Sequence, residues 1–373
     1  MILVLTQNLP PDPGGIEALM GELARALAGA GEGVLVLADH IRGRGLAEPS
    51  WPAGVSLRRF GGPRPLRRWR KGLAARRALA RQPVRAVIAD SWKSLEVLPR
   101  APVPVLVLAH GSEFPPSPSP RKRRRIERAL EGATAIAPNS AFTAGLLQPY
   151  LTPAAPRPVV VHLPVPPQPD PSPEGRARVE GLRGEGPLLL TLARLEPRKG
   201  VDQVIRALPG LAARHPGLRY AVAGGGEDRA RLEALARELG VAERVVFLGR
   251  VDDAARAALY AGADLFAMPV RREGASVEGY GLVYLEAAWY GLPALAGRDG
   301  GAAEAVRDGE TGLLCDGADP GDVAAALARL LGDEVLRRRL GEAAARRVRR
   351  DLGWDSALPR YLALIGGAPP GGG

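Results

Sequence analysis

Residues 188–200 read L-L-L-T-L-A-R-L-E-P-R-K-G. The apolar run Leu188 to Ala193 has the length of one strand, Pro197 and Gly200 close it, and a longer helical period follows. A continuous apolar run broken this way reads as a buried parallel strand, its loop and the start of a crossover helix. The loop then carries two cations, Arg194 and Lys199, to the carboxyl edge of a sheet. The same alternation continues downstream, with strands expected at Tyr220–Ala223, Val245–Leu248, Leu265–Met268 and Pro293–Ala296. Upstream it recurs at Ile2–Thr6, Val34–Ala38, Ala86–Ala89, Val103–Ala109, Ala133–Ala137 and Val159–His162, with helices at Ile16–Leu27 and, Arg-rich, at Pro65–Arg81. A Pro-rich stretch from Pro164 to Pro187 separates the two series and reads as an extended linker. The expectation is therefore α/β: two doubly wound parallel-sheet domains, with binding residues at the carboxyl ends of their strands. The expected boundaries are a first domain over 1–165, a linker over 166–187, a second domain over 188–355, and a C-terminal segment over 356–373 whose Gly/Pro tail, from Gly366, is expected to be disordered.

A chain of 373 residues has material for two cores of ordinary size. Its longest apolar stretches are strand-sized, far short of the roughly 20 residues that span a bilayer. The N-terminus reads as a first strand rather than a signal peptide. The single cysteine, Cys315, cannot form an internal disulfide, which agrees with a cytoplasmic location. Net charge is +11, and residues 1–187 hold 26 Lys and Arg against 15 Asp and Glu, so the remainder is balanced at 25 against 25. A basic first half suits nucleic acid, an anionic membrane surface or an anionic acceptor. An Arg-rich proteome is the rival explanation.

Four groups of residues carry candidate chemistry. Arg194 and Lys199, five positions apart across a Pro turn, can grip a diphosphate and favour it as a leaving group; a solvated basic loop would look the same. Gly224-Gly-Gly226-Glu227 follows a strand and opens a helix, where backbone amides can approach phosphate. It is not a dinucleotide fingerprint, because Arg229 stands where the third glycine belongs. Glu278-Gly-Tyr-Gly-Leu-Val-Tyr-Leu-Glu286 places one carboxylate in a loop and a second, eight positions on, inside a helix that starts near Gly281. A carboxylate among Leu285, Ala287 and Ala288 needs a polar partner, and vicinal ribose hydroxyls would serve, while the amides of Gly281, Leu282 and Val283 face sugar or phosphate oxygens. His110 ends a strand in the first domain.

With these residues in place, Glu278 and Glu286 resemble the E-x7-E motif of the retaining glycosyltransferases of family 4. The Arg194/Lys199 pair, Gly224 to Glu227, F-L-G-R-V at 247–251, A-D-L-F-A-M-P at 263–269 and the Gly300 to Leu314 segment follow in the family's order, over essentially residues 1 to 355. The run A-M-P-V-R-R-E-G-A-S-V-E-G-Y-G-L-V-Y-L-E is similar to one branch, the GDP-mannose-dependent phosphatidylinositol mannoside mannosyltransferases. Ala193 departs from the glycine that many members carry before the Arg. The resemblance implies the GT-B fold, two Rossmann-like domains facing a central cleft, and a nucleotide-sugar donor. It implies Arg194 and Lys199 on the diphosphate, Glu286 on the ribose, Glu278 beside the transferred sugar and the backbone of Arg250 and Val251 at the base. From the first domain it implies Gly14 and Gly15 at donor phosphates and acceptor, and His110 as a sugar-hydroxyl or backbone contact near the reacting carbon. It also implies same-face attack without a general base.

No Asp-x-Asp motif is present and His40, His110, His162 and His215 are dispersed, so no cofactor and no essential metal are expected. The basic helices, Arg121 to Arg125 with Ile126 and Leu66 to Arg81 with Trp69, suit anionic headgroups and a lipid-linked or glycan acceptor, which would put the chain peripherally on the inner membrane face. A UDP-sugar donor of the glucosyl type is the alternative. A nucleic-acid-binding protein is remote, because no recognisable module or aromatic platform is present.

Overall fold

The computed structural model describes residues 1–40, 47–98 and 100–366. They form two compact units, one of Met1–Pro166 with the segment from Trp354, the other of Pro167–Gly353. The first unit runs β1 (Ile2–Leu5), α1 (Gly15–Gly29), β2 (Val34–Asp39), β3 (Val55–Phe60), α2 (Arg64–Arg81), β4 (Ala86–Ala89), α3 (Trp92–Leu95), β5 (Val105–Ala109), α4 (Pro120–Glu131), β6 (Ala135–Pro138) and α5 (Ala141–Leu147). Its six strands pair in the order β3-β2-β1-β4-β5-β6, all parallel. Strand β1 is central and every one of its side chains is buried, as a strand covered by helices on both faces must be. Helix α1 turns Leu19, Met20, Leu23 and Leu27 onto the sheet. Strand β3 escapes the sequence pattern because it is the edge: only alternate residues turn inward, and Arg58 and Arg59 interrupt the apolar run. The strand expected at Val159–His162 does not form. Pro158 makes an isolated bridge to Ile136, and the segment runs extended beside β6 with two amide bonds, Val159 to Ile136 and Val161 to Pro138.

The second unit runs α6 (Pro173–Arg183), β7 (Leu188–Leu192), α7 (Val201–Ala212), β8 (Arg219–Ala223), α8 (Arg229–Glu238), β9 (Val245–Gly249), α9 (Asp253–Gly262), β10 (Leu265–Met268), α10 (Leu282–Trp289), β11 (Ala294–Gly297), α11 (Ala302–Ala305), β12 (Gly312–Cys315), α12 (Pro320–Gly332) and α13 (Glu334–Asp351). Its parallel order is β12-β11-β10-β7-β8-β9. Here the expected linker needs correction. Ser172 accepts the Gly175 amide at 3.0 Å and Pro173 occupies the first turn, so α6 is a properly capped helix. Its buried Val179 lies so close to α9 that a Cβ on Gly262 would stand 2.6 Å from it. Helix α14 (Trp354–Gly366) corrects the other end: Ala357, Tyr361 and Ile365 join Met20, Leu23 and Leu27 of α1 in the first unit's core. The segment expected to stand apart thus belongs to the first unit, and the Gly/Pro tail expected to be disordered lies, past Gly366, outside the described residues.

Candidate active site

In an open parallel sheet the crevice forms where neighbouring strands send their crossovers to opposite faces. In the second unit that point lies between β7 and β10. Past β7 the chain makes a 3-10 turn, Pro197–Lys199. It buries the Lys199 side chain to 10 % exposure, where its ammonium donates to Glu278 Oε2 from the loop after β10. Arg198 Nη1 donates to the same oxygen at 3.0 Å, and its Nε donates to Glu196 Oε2 at 2.8 Å. Burial alone would raise the Glu278 pKa, but the charges and hydrogen bonds of Lys199 and Arg198 outweigh it and bring the group down to about 2. Burial, reinforced by Arg198, pushes Lys199 below the usual lysine range against the pull of Glu278.

Arg194 is not gathered into this cluster. Its side chain is 75 % exposed and pairs with Glu196 Oε1 at 3.0 Å, so the expected Arg194/Lys199 pair is split: Lys199 is committed to Glu278 and Arg194 reaches into solvent. Arg198, which no motif singles out in the sequence, takes the second buried place. Only its position beside Lys199 could have signalled that.

Gly224 and Gly226 serve the backbone. A Cβ on Gly224, whose φ is +133°, would stand 1.8 Å from the Ala193 carbonyl oxygen, and one on Gly226 would stand 2.2 Å from that of Leu195. The Leu195 amide donates to Gly225 O at 3.0 Å, stitching the loops after β7 and β8 together. The Gly224 amide donates to Gly249 O at 2.7 Å, so it is occupied within the loop rather than presented as an anion donor. Arg250, which packs its Cγ 3.7 Å from where that added atom would lie on Gly225, is exposed, and Val251 follows half-buried.

Gly281, at φ +90°, is the N-cap of α10, a backbone state only glycine adopts freely. Leu282 and Val283 open that helix half-buried. Glu286 sits one turn in, also half-buried, and Tyr260 of α9 donates its hydroxyl to Glu286 Oε2 at 3.0 Å. The polar partner required for this carboxylate is thus supplied in part by the fold. Burial and the Glu286 charge hold the Tyr260 pKa well above its ordinary value, so it stays a donor. The Glu278 loop is held from behind: Gly301 N donates to Glu278 O at 2.9 Å, and Arg271 forks onto Asp202 at 2.9 and 3.1 Å.

In the first unit the switch point lies between β1 and β4. Fully buried Asp90 after β4 accepts from Thr6 Oγ1 at 2.7 Å, the Gln7 amide at 2.8 Å and Ser91 Oγ at 3.0 Å. Buried Lys71 of α2 donates to Thr6 O at 2.7 Å and pairs with Asp39. This network fixes the root of the loop that ends at Gly14, the N-cap of α1, and Gly15, its first residue; both are exposed. His110 is 8 % exposed at the end of β5. Its amide donates to Glu113 Oε1 at 2.7 Å, while neither buried ring nitrogen has a hydrogen-bond partner among the described residues. Such unsatisfied atoms cost about 1–3 kcal/mol each unless water, an ion or a ligand supplies the bond. On α2 Leu66 and Trp69 are 47 % and 65 % exposed amid exposed Arg64 and Arg70. On α4 the charge is partly spent, since Arg125 chelates Glu96, which also takes Arg68 of α2 at 2.7 Å. Among the described residues no helix is long and apolar enough to cross a membrane.

Residues 13–168 match the profile of glycosyltransferase family 4, and residues 175–347 that of the glycosyl transferases group 1. The chain is 32 % identical over 389 residues, 98 % of each chain, to a protein of Mycobacterium tuberculosis named GDP-mannose-dependent alpha-(1-6)-phosphatidylinositol monomannoside mannosyltransferase. The fold superimposes on sucrose-phosphate synthase from Thermosynechococcus elongatus with a TM-score of 0.80 at 22 % identity, covering 98 % of both chains. It superimposes on Anabaena HepE in complex with UDP and glucose with a TM-score of 0.76 at 18 % identity, covering 98 % of this chain and 99 % of that one. Its two six-stranded parallel sheets, the carboxylate and cation cluster at the β7/β10 switch point and these matches agree: the chain belongs to the glycosyltransferases of family 4 and has the GT-B fold.

Proposed function

We propose that the chain transfers mannose from GDP-mannose, with retention of configuration, to a hydroxyl of a lipid-linked acceptor or glycan at an anionic membrane surface. The observation that carries the reading is the buried Lys199–Glu278–Arg198 cluster together with the Glu286–Tyr260 pair on α10 and α9 of the same unit. One is a cationic place for a diphosphate and the other a carboxylate acceptor for ribose hydroxyls. The full-length identity to a protein named as a GDP-mannose-dependent enzyme supports the donor.

In this reading Lys199 and the exposed Arg194 take the diphosphate, and the amides of Gly281, Leu282 and Val283 meet oxygens of the donor. The backbone of Arg250 and Val251 meets the base, and Gly224 shapes the loop beneath it. Within the first unit, Gly14 and Gly15 offer backbone at the start of α1, and His110 offers its ring nitrogens, to sugar or phosphate oxygens. Lys199 and Arg198 hold Glu278 well below the usual carboxylate range, so it stays ionised at pH 7. It is therefore no proton donor; it accepts hydrogen bonds from the sugar. The acceptor oxygen bonds to the anomeric carbon as the bond to the diphosphate breaks. The proton passes to the departing diphosphate oxygen, so no protein base and no essential metal are required. Positioning and cationic stabilisation of the leaving group carry the rate. Exposed Trp69 and Leu66 among arginines on α2 support peripheral contact with anionic lipid.

A panel of GDP- and UDP-sugars assayed against membrane lipid extract, with product analysis, tests this. Turnover with GDP-mannose and an axial product linkage are expected, together with thermal stabilisation by GDP but not UDP. Stabilisation by UDP alone would favour the second reading, a UDP-sugar transferase, which the complex of Anabaena HepE with UDP and glucose makes the natural rival.

A further inference from the structure

Two cations share one oxygen of Glu278, and their attachments differ. Arg198 is fixed at three points: to Glu278 Oε2 at 3.0 Å, to Glu196 Oε2 at 2.8 Å, and through its carbonyl, which accepts the Arg271 amide at 3.0 Å. Lys199 holds Glu278 through a single ammonium on a four-carbon stem, which can swing without disturbing the backbone. A diphosphate brought to this turn competes with Glu278 for Lys199. Were Lys199 the sole partner, its departure would strand a buried carboxylate; the guanidinium that remains prevents it.

We infer that Arg198 is a positioning residue, which keeps Glu278 anionic and aimed at the sugar while Lys199 transfers its ammonium to the donor's diphosphate. The inference rests on the reading of Lys199 and Glu278 proposed above. The other groups facing Glu278 cannot substitute. Tyr284 of α10 donates its hydroxyl to Met268 O at 2.5 Å, Glu196 lies behind Arg198 with the same charge as Glu278, and Gly301, just before α11, gives its amide to the Glu278 carbonyl rather than to the carboxylate.

The test compares Arg198→Met, Arg198→Gln, Arg198→Lys and Lys199→Met in the full chain, by turnover with whichever sugar nucleotide the wild type uses and by calorimetry with GDP and UDP. Arg198→Met and Arg198→Gln should lower kcat roughly 10- to 100-fold while nucleotide Kd stays within about threefold, whereas Lys199→Met should weaken Kd by roughly tenfold or more. The acid limb of kcat should move upward by about one pH unit or more in the neutral variants, and Arg198→Lys should restore most of kcat and of the limb. Loss of nucleotide affinity in Arg198→Met equal to that in Lys199→Met would make Arg198 a direct phosphate ligand and overturn the inference, as would unchanged kcat. If the wild type turns over no sugar nucleotide, the functional reading fails by itself, and thermal stability still decides on Arg198. The gap in Tm between wild type and Arg198→Met should shrink as pH falls from about 5 to about 3; a constant gap would mean that Arg198 merely packs.

Discussion

Replacing Glu278 by Gln keeps its size and removes one charge from between two buried cations. The side chains of Glu278, Arg198 and Lys199 are 15 %, 12 % and 10 % exposed, so solvent screens the interaction little. A carboxyl held at about 2 rather than 4.5 is ionised in the fold with about 3 kcal/mol more favour than in the unfolded chain. Breaking a buried ion pair by removing one partner costs about 3–5 kcal/mol, which agrees. At about 2–4 °C per kcal/mol for a domain of this size, the variant should melt roughly 6–12 °C lower at pH 7. The sign with pH is fixed, because the folded pKa lies below the unfolded one. The wild-type advantage is complete above about pH 4.5 and is lost as pH falls through about 2, so the two proteins should converge in acid. The stranded cations also welcome an anion, so GDP should raise the Tm of Glu278→Gln by at least as much as that of the wild type while transfer is lost. Scanning calorimetry between pH 7 and pH 3, with and without GDP, provides the measurements. A shift under about 2 °C at pH 7, or one that does not change with pH, would refute the assignment of Glu278 as the charge that neutralises this cluster.

Tyr260→Phe removes the hydroxyl that donates to Glu286, and donor KM should rise roughly 10- to 100-fold with kcat kept, the worth of one hydrogen bond to a charged group. Gly224→Ala would drive a methyl to 1.8 Å from the Ala193 carbonyl at a φ of +133°, so unfolding in urea should show a loss of more than about 2 kcal/mol. Cys315 is fully buried and its thiol pKa is pushed up to about 12, mainly by burial; an aromatic disulfide reagent should leave it unmodified at pH 8 until the second unit unfolds.

The two wound sheets are legible because parallel strands buried on both faces leave unbroken apolar runs, as at Ile2–Leu5 and Leu188–Leu192. Two edge strands escape the pattern: β3, where Arg58 and Arg59 break the apolar run, and β12, whose four residues are too few to stand out. Helix α6 is hidden by composition: its Pro173 and glycines suggest a linker, yet the Ser172 cap and one buried Val suffice to dock it. Within the site, Lys199, Glu278 and Glu286 stand out by spacing, and the structure brings the first two into contact. Arg198 and Tyr260 carry no such spacing. Tyr260 lies on α9, 26 positions before the carboxylate it holds, and only the tertiary fold makes them neighbours.

Helix α14 gives the chain an order of events. Its Tyr361 and Ile365 complete a core that Ile2 and Val4 begin, so the first unit to emerge during synthesis is the last that can finish folding. Residues 167–353 form one uninterrupted stretch and can close on themselves while their predecessor still waits, its α1 face bare, for α14. The second unit is in effect an insertion in the first. Cutting the chain before Trp354 would remove no tail; it would unseal the domain at the opposite end of the sequence.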